Sequence, residues 1–366
     1  MTHICDRGAH STGTAQGSWQ SPRPQTRIWS SLLRSLSRQT RWSSLAVAFV
    51  MVGKLGVLAV TGKWPLRASV DNTMRGIDFY PWKDLLRAII HGAHRFKAEN
   101  GYLPRLAWPV NFNEHIFRRK FFAALPVPSL ADKLGAKEYV RARLGDELVP
   151  ETVWIGDNVE DLFSDKLPPG RYVLKANHGC EWNLFLELPD DLIARRAEIQ
   201  QKTTSWLRSR YGYAWGEWHY STFRPQLFLE RFIDFSGSRP PEDYKFLCFH
   251  GRVRLIEVDV DRATELKSAF YTSDWKYVPV TYGETPIHRP RPHNLGEMIR
   301  IAEALADGID FVRVDLYSDA ISKLVVGEIT FFPGDAGLHF SDVRLDQWLG
   351  SQFSDLAGSQ RSPWDC

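Results

Sequence analysis

Cysteine is scarce in this 366-residue chain, and what there is carries no pattern. Cys5, Cys180, Cys248 and Cys366 lie far apart and never in C-x-x-C spacing. That excludes a disulfide framework and a cysteine-ligated zinc site as organising devices, and makes a reducing compartment the default. The eleven histidines include one H-x-x-H pair, His91 and His94, but no H-E-x-x-H, which excludes a zincin-type centre. Neither sign of charge dominates: the formal net charge is +3. A dedicated nucleic-acid binder would carry a basic stripe and a larger excess, so no nucleic-acid partner is expected. Internal repeats are absent.

Long hydrophobic runs are almost missing. The one candidate, 44–62, contains LAVAFVMVGKLGVLAV and is interrupted by Lys54. It is marginal in length for a membrane span, and a mid-span lysine costs roughly 2.5–3.5 kcal/mol on insertion scales. The charged stretch before it is too long for the n-region of a signal peptide. Three readings stay open for it: a membrane anchor, a peripheral amphipathic segment, or an extension outside the working protein. Residues 1–43 are rich in Ser, Thr, Gln, Arg and Gly and nearly free of acid, the composition of a disordered basic tail. The expected location is cytoplasmic, with association to the inner membrane face through 44–62 as the open alternative.

What is present begins at Met74. Length allows two or three packed units with a sizeable core. Leu85, Leu86, Ile89, Ile90 and His94 recur at helical spacing within 78–100. Basic helix 113–123 follows, then a helix from Asp132-Lys133 to near Gly145. Residues 189–209 read as one amphipathic helix, with Leu192, Ile193, Ile199, Trp206 and Leu207 on its apolar side. Strands are expected at 153–155, 172–175 and 226–235, and as a hairpin over 244–260 turning at His250-Gly251. A helix over 294–307 has Asn294 as N-cap and Glu297 as its capping-box partner. Helices and mostly antiparallel strands thus mix throughout, which defines an α+β chain. Among the fourteen tryptophans, the segment holding Tyr211, Tyr213, Trp215, Trp218 and Tyr220 reads either as packing of a lid or loop or as a saccharide platform.

The richest stretch is FVRVDLY (311–317), a polar turn, and VGEITFFPG (326–334). Both halves read as strands of a hairpin. Alternation puts Arg313 and Asp315 on one face of the first, and Glu328 and Thr330 on one face of the second. If the loop sets Asp315 opposite Glu328, two carboxylates converge and call for a cation between them. Mg²⁺, commonly held by one or two carboxylates plus phosphates, suits that patch, and Arg313 suits a phosphoryl group. The bland alternative is a surface hairpin with scattered charge. Four more charges interrupt apolar contexts. Lys175 ends a strand before a small-residue loop, Lys133 opens a helix against its dipole, and Glu230 and Lys245 sit inside core-like strands. Each has an ordinary reading as a snorkelling or ion-paired side chain.

The order of motifs resembles the TupA-like ATP-grasp family, the type associated with teichuronopeptide and surface-polysaccharide biosynthesis. The resemblance spans about 111–350 and rests on NFNEH (111–115), ADKLGAKEYV (131–140), YVLKANHG (172–179), LFLERFI (227–233), DYKFLCFHGRVRLIEV (243–258), DWKYVP (274–279) and the 311–334 hairpin. It implies an ATP-grasp fold, with two α+β subdomains clasping ATP, preceded by a small N-terminal subdomain and the basic tail. The implied division is 1–75 tail, 76–170 N-terminal subdomain, 171–230 lid, 231–350 large subdomain and 351–366 C-terminal tail.

It implies that Lys133 and Lys175 hold ATP phosphates, aided by the loop Asn177, His178 and Gly179, and that Glu230 lies near the adenosine. Asp315 and Glu328, with Thr330, become the Mg²⁺ ligands. Arg313 faces the transferred phosphate, and Lys245 joins it in the catalytic set. The activity implied is an ATP- and Mg²⁺-dependent carboxylate–amine ligase acting through an acyl phosphate, with a small-molecule or saccharide carboxylate and an amine as substrates. Peripheral-membrane or envelope-assembly proteins are the further partners implied. A sugar kinase on the same fold, or a degenerate ATP-binding scaffold, are the alternatives. The scaffold reading draws on one departure: Cys180-Glu181-Trp182 stands where the family usually continues the loop with Ser and Gly.

Overall fold

The computed structural model describes residues 73–126, 129–164, 166–235, 242–260, 266–354 and 362–364. The basic tail, the 44–62 segment and most of 355–366 lie outside these. No helix among the described residues is long and apolar enough to cross a membrane.

In chain order the helices are α1 (Gly76–Phe79), α2 (Trp82–Asn100), α3 (Phe112–Phe122), α4 (Lys133–Leu144), α5 (Val159–Ser164), α6 (Asp190–Ala194), α7 (Arg196–Arg208), α8 (Leu295–Ala306) and α9 (Val343–Ser351). The strands are β1 (Thr73–Met74), β2 (Leu125–Pro126), β3 (Thr152–Gly156), β4 (Gly170–Ala176), β5 (Asn183–Leu188), β6 (Leu227–Arg231), β7 (Glu242–Phe249), β8 (Arg252–Val260), β9 (Lys267–Thr272), β10 (Tyr277–Val278), β11 (Phe311–Ser318) and β12 (Leu324–Thr330). Two antiparallel sheets carry the architecture: a four-stranded one ordered β3-β6-β4-β5 and a six-stranded one ordered β10-β9-β8-β7-β11-β12. The chain is α+β, as expected.

The small sheet alternates cleanly. In β5, Leu184, Leu186 and Leu188 are buried while Asn183, Phe185 and Glu187 are exposed. Its buried face joins Ile199 and Trp206 of α7 and Leu162 of α5 in one apolar cluster. Its other face carries Lys175 and Glu230. β3 belongs to this sheet through pairing with β6, so the sheet begins upstream of residue 171, where the sequence division starts the lid. β5 and β9 were not foreseen. Both are short and are bounded by no Gly/Pro turn pair of the kind that marked 244–260.

Three local expectations are corrected. Residues 189–209 form two helices broken at Arg195, and Ile193 is 81 % exposed rather than packed. His94 is exposed; Ala88, Ile89, Gly92 and Phe96 make the buried stripe of α2. The Asn294–Glu297 capping box is not formed, because Asn294 Nδ2 donates to Ser318 Oγ at 3.0 Å and Glu297 pairs with Arg300. A reaching-back glutamate occurs instead in NFNEH. Buried Glu114 accepts from the backbone N–H of Asn111, Val110 and Arg105 and from Arg105 Nε. It thereby ties the 105–111 connector to the start of α3, while Asn113 pairs with both backbone groups of Leu338. The basic helix α3 buries two of its three cations, Arg119 paired with Asp310 and Lys120 with Asp335, and leaves Arg118 exposed.

Candidate active site

The 311–334 hairpin is present, and a β-bulge sets its chemistry. Counting back from Ser318↔Leu324, the ladder runs to Leu316↔Val326 and then shifts, so that Asp315 faces Glu328 and Arg313 faces Thr330. Gly327 takes up the extra position; a Cβ there would stand 2.6 Å from the Tyr317 ring. On its other side Asp315 pairs with Lys245, and Lys245 with Glu257. Directly paired residues share a sheet face. A lateral row Glu257–Lys245–Asp315–Glu328 therefore crosses four strands on one face.

Within it, Arg313 donates to both oxygens of Asp315 at 2.7 Å, with Thr330 Oγ1 at 3.4 Å and Glu328 Oε2 at 3.9 Å from Nη2. Lys245 is buried between Asp243 and Asp259, the latter at 2.8 Å. Burial alone would depress its ammonium, but Asp315, Asp243, Glu257 and Asp259 outweigh that and raise it. Asp315 goes the other way. Burial pushes its carboxyl up to about 6 against the pull of Arg313 and Lys245. Glu257 is pushed up to about 8 by burial and by Asp259, and accepts from the Tyr282 hydroxyl at 3.0 Å. Burial also acts to raise Glu328, yet Lys133 and Arg313 outweigh it and hold the carboxyl below its ordinary range.

Helix α4 and the small sheet supply the cations. Lys133 is the first residue of α4, after an Asp132 cap that accepts from Leu134 N–H at 2.9 Å. Its Nζ donates to the Gly179 carbonyl at 2.6 Å and lies 3.9 Å from Glu328 Oε1, so it bridges the loop and the acid pair. Lys175 pairs with Glu230 on the neighbouring strand β6. Glu230 is 3 % exposed, and its second oxygen lies 2.7 Å from Lys137 Nζ. Burial would raise the Glu230 carboxyl, but the two lysines more than offset it and hold it low.

The loop between β4 and β5 is internally braced. Asn177 Oδ1 accepts from Gln226 N–H at 2.8 Å and its Nδ2 donates to the Arg224 carbonyl at 3.1 Å. The His178 ring sits between Asn177 Oδ1 and the Trp206 carbonyl, both at 3.1 Å. These two side chains shape the loop, while the Gly179 carbonyl meets Lys133. Gly179 has φ +88, and a Cβ there would be 2.9 Å from Trp182 and 3.0 Å from Tyr211. Glu181, φ +59, is exposed, and the Cys180 thiol lies 3.4 Å from the Tyr220 hydroxyl. Of the aromatic segment, Trp218 is fully buried and donates to the Lys120 carbonyl at 2.7 Å, which makes it a packing anchor.

The structure thus gathers Lys245, Arg313, Asp315, Glu328 and Thr330 on one sheet. Lys133 and Gly179 approach them, and Lys175 and Glu230 stand on the other sheet. Sequence reasoning missed Lys137, Glu257, Asp243, Asp259 and Tyr282. Lys137 had a signal, four residues after Lys133 on the same helix face. No group of three or more His, Cys, Asp or Glu among the described residues is arranged to hold a metal ion. The donor set still fits Mg²⁺, which takes few carboxylates and completes its shell with water and phosphate. Two hard-oxygen carboxylates stand side by side, and the Glu328 side chain is 35 % exposed.

A family model for TupA-like ATP-grasp proteins matches residues 115–354. The chain belongs to that family, and its fold is the ATP-grasp fold. Comparison with curated proteins gives no match. Several solved structures show partial likeness, three of which follow. N5-carboxyaminoimidazole synthetase from Staphylococcus aureus, with ADP, has 12 % identity and TM-score 0.37 over 58 % of this chain and 50 % of that one. D-alanine–D-alanine ligase from Bacillus anthracis, with ATP, has 15 % identity and TM-score 0.32 over 56 % of each chain. L-amino acid ligase from Bacillus licheniformis has 15 % identity and TM-score 0.35 over 58 % of this chain and 42 % of that one. This chain spans roughly half the length of each.

Proposed function

We propose that this chain is an ATP- and Mg²⁺-dependent carboxylate–amine ligase. The observation that carries it is Lys133: one ammonium reaches both the Gly179 carbonyl of the loop and Glu328 of the acid pair. That contact joins helix α4 and the loop after β4 to the carboxylate-rich sheet, which suits a nucleotide phosphate chain on one side and a metal on the other.

The chemistry needs few covalent parts from the protein. A substrate carboxylate oxygen attacks the γ-phosphorus, the bond to the β-phosphate oxygen breaks, and ADP leaves. An amine nitrogen then attacks the acyl carbon, loses a proton, and inorganic phosphate departs. Positioning and charge stabilisation dominate such transfers. Lys133 and Lys175 hold phosphate oxygens, and Glu230 marks the adenosine end. Arg313, fixed by two hydrogen bonds to Asp315, presents its remaining N–H groups to the transferred phosphoryl group. Lys245, bonded to Asp243 and Asp259, adds positive charge beside Asp315 from the other side. Asp315, Glu328 and Thr330 would hold Mg²⁺, which supplies neutralisation of the phosphate charge. A uronic-acid or amino-acid carboxylate from capsule, exopolysaccharide or cell-wall polymer assembly is the acceptor class that the family resemblance supports.

Incubating the protein with Mg-ATP, hydroxylamine and a panel of uronates and amino acids tests this. A carboxylate-dependent release of ADP with formation of a hydroxamate is the expected outcome. Phosphorylated sugar without hydroxamate would replace the ligase by a kinase.

A further inference from the structure

The position of Lys137 explains a difficulty at Lys175. Glu230 is 3 % exposed, and its two oxygens are taken by Lys175 and Lys137. A lysine that must turn to a phosphate has to leave its carboxylate, and a buried carboxylate left bare is costly, because the interior solvates charge poorly. With Lys175 as its sole partner, Glu230 would compete with the nucleotide for that ammonium. Lys137 removes the competition. Its ammonium donates to Thr152 Oγ1 at 2.7 Å and the Pro150 carbonyl at 3.0 Å and meets Glu230 at 2.7 Å, so all three N–H groups are engaged within the protein. Its side chain is 11 % exposed against 26 % for Lys175, which leaves Lys175 the more accessible of the two. Thr152 stands opposite Glu230 in the ladder, so the anchoring is built into the sheet.

We propose that Lys137 is a positioning residue for nucleotide binding: it keeps Glu230 compensated and so releases Lys175 to the phosphates. This rests on the ATP-binding reading of the site. The test is a double-mutant cycle on the whole chain, read as Mg-ADP affinity by calorimetry, with thermal melting as the check on folding. Lys137→Met is expected to weaken binding about tenfold or more when Glu230 is present, because Lys175 is then held back. In the Glu230→Gln background the same substitution should change affinity by less than about twofold, since no carboxylate remains to hold Lys175. A merely structural lysine would weaken both backgrounds alike, and that result overturns the proposal. So does wild-type affinity in Lys137→Met. If Lys137→Met alone does not fold, Glu230→Gln with and without it still decides: equal affinity supports the proposal, a tenfold gap overturns it. A folded wild type that binds no Mg-ADP overturns the nucleotide site itself, and this inference with it.

Discussion

The two sheets have opposite charge imbalance. On the small sheet and helix α4, Lys137 and Lys175 share one carboxylate, Glu230, and Lys133 stands nearby on the Gly179 carbonyl. On the large sheet, Asp243, Glu257, Asp259, Asp315 and Glu328 gather around Lys245 and Arg313. Neither patch balances itself, and burial makes each imbalance expensive. On the large sheet the strain shows in Asp315 and Glu257, both pushed up. On the small sheet it shows in Lys137, which burial holds below its ordinary value despite Glu230. An anion placed at the first patch and a cation at the second would relieve both, and a metal–nucleotide pair carries both charges.

The sharpest break of this contrast is on the acidic side. Glu328→Gln should abolish the contribution of Mg²⁺ to nucleotide affinity, by at least the roughly 100-fold that loss of a partner beyond the ligands can cost. Metal-free binding, measured in the same titration, should stay near wild type. A smaller effect is expected from Lys175→Met on the basic side. Affinity should fall about tenfold with and without Mg²⁺, and its dependence on salt should flatten, because a phosphate contact is gone. Equal loss of the Mg²⁺ effect in both variants would erase the distinction between the patches.

The smallest effect separates burial from function. Asp346 is also pushed up to about 6 by burial, but its hydrogen bonds come from Asn113 and not from a lysine. Its folded value exceeds its ordinary 3.8, so ionisation is disfavoured in the folded state. The stability it contributes is full below the ordinary value and is lost as pH rises through about 6. Urea unfolding at several pH values should show a steeper decline across that window in wild type than in Asp346→Asn, with nucleotide affinity unchanged.

Charge in an apolar context was legible one residue at a time. Lys175, Glu230, Lys245 and Asp315 announced themselves because a buried charge needs a partner. The partners were harder, because two bulges decide them. Counted straight from the Phe249↔Arg252 turn, Lys245 would face Ile256; the shift between Leu247 and Cys248 substitutes Glu257. Counted straight from Ser318↔Leu324, Asp315 would face Gly327. A one-residue slip turns a strand's side chains to the other face, so each bulge brings a carboxylate into the row and neither is written in a hydrophobic pattern. The internal use of Asn177 and His178 was equally hidden, since their partners Arg224, Gln226 and Trp206 are remote in sequence.

The central claim is that one cleft joins a phosphate-holding side to a metal-holding side. Calorimetry of ATP with the whole chain, with and without Mg²⁺, in wild type and Asp315→Asn, tests it most directly. The account predicts binding that Mg²⁺ strengthens in wild type and leaves unchanged in Asp315→Asn. Binding indifferent to Mg²⁺ in folded wild type, or no binding at all, would contradict it.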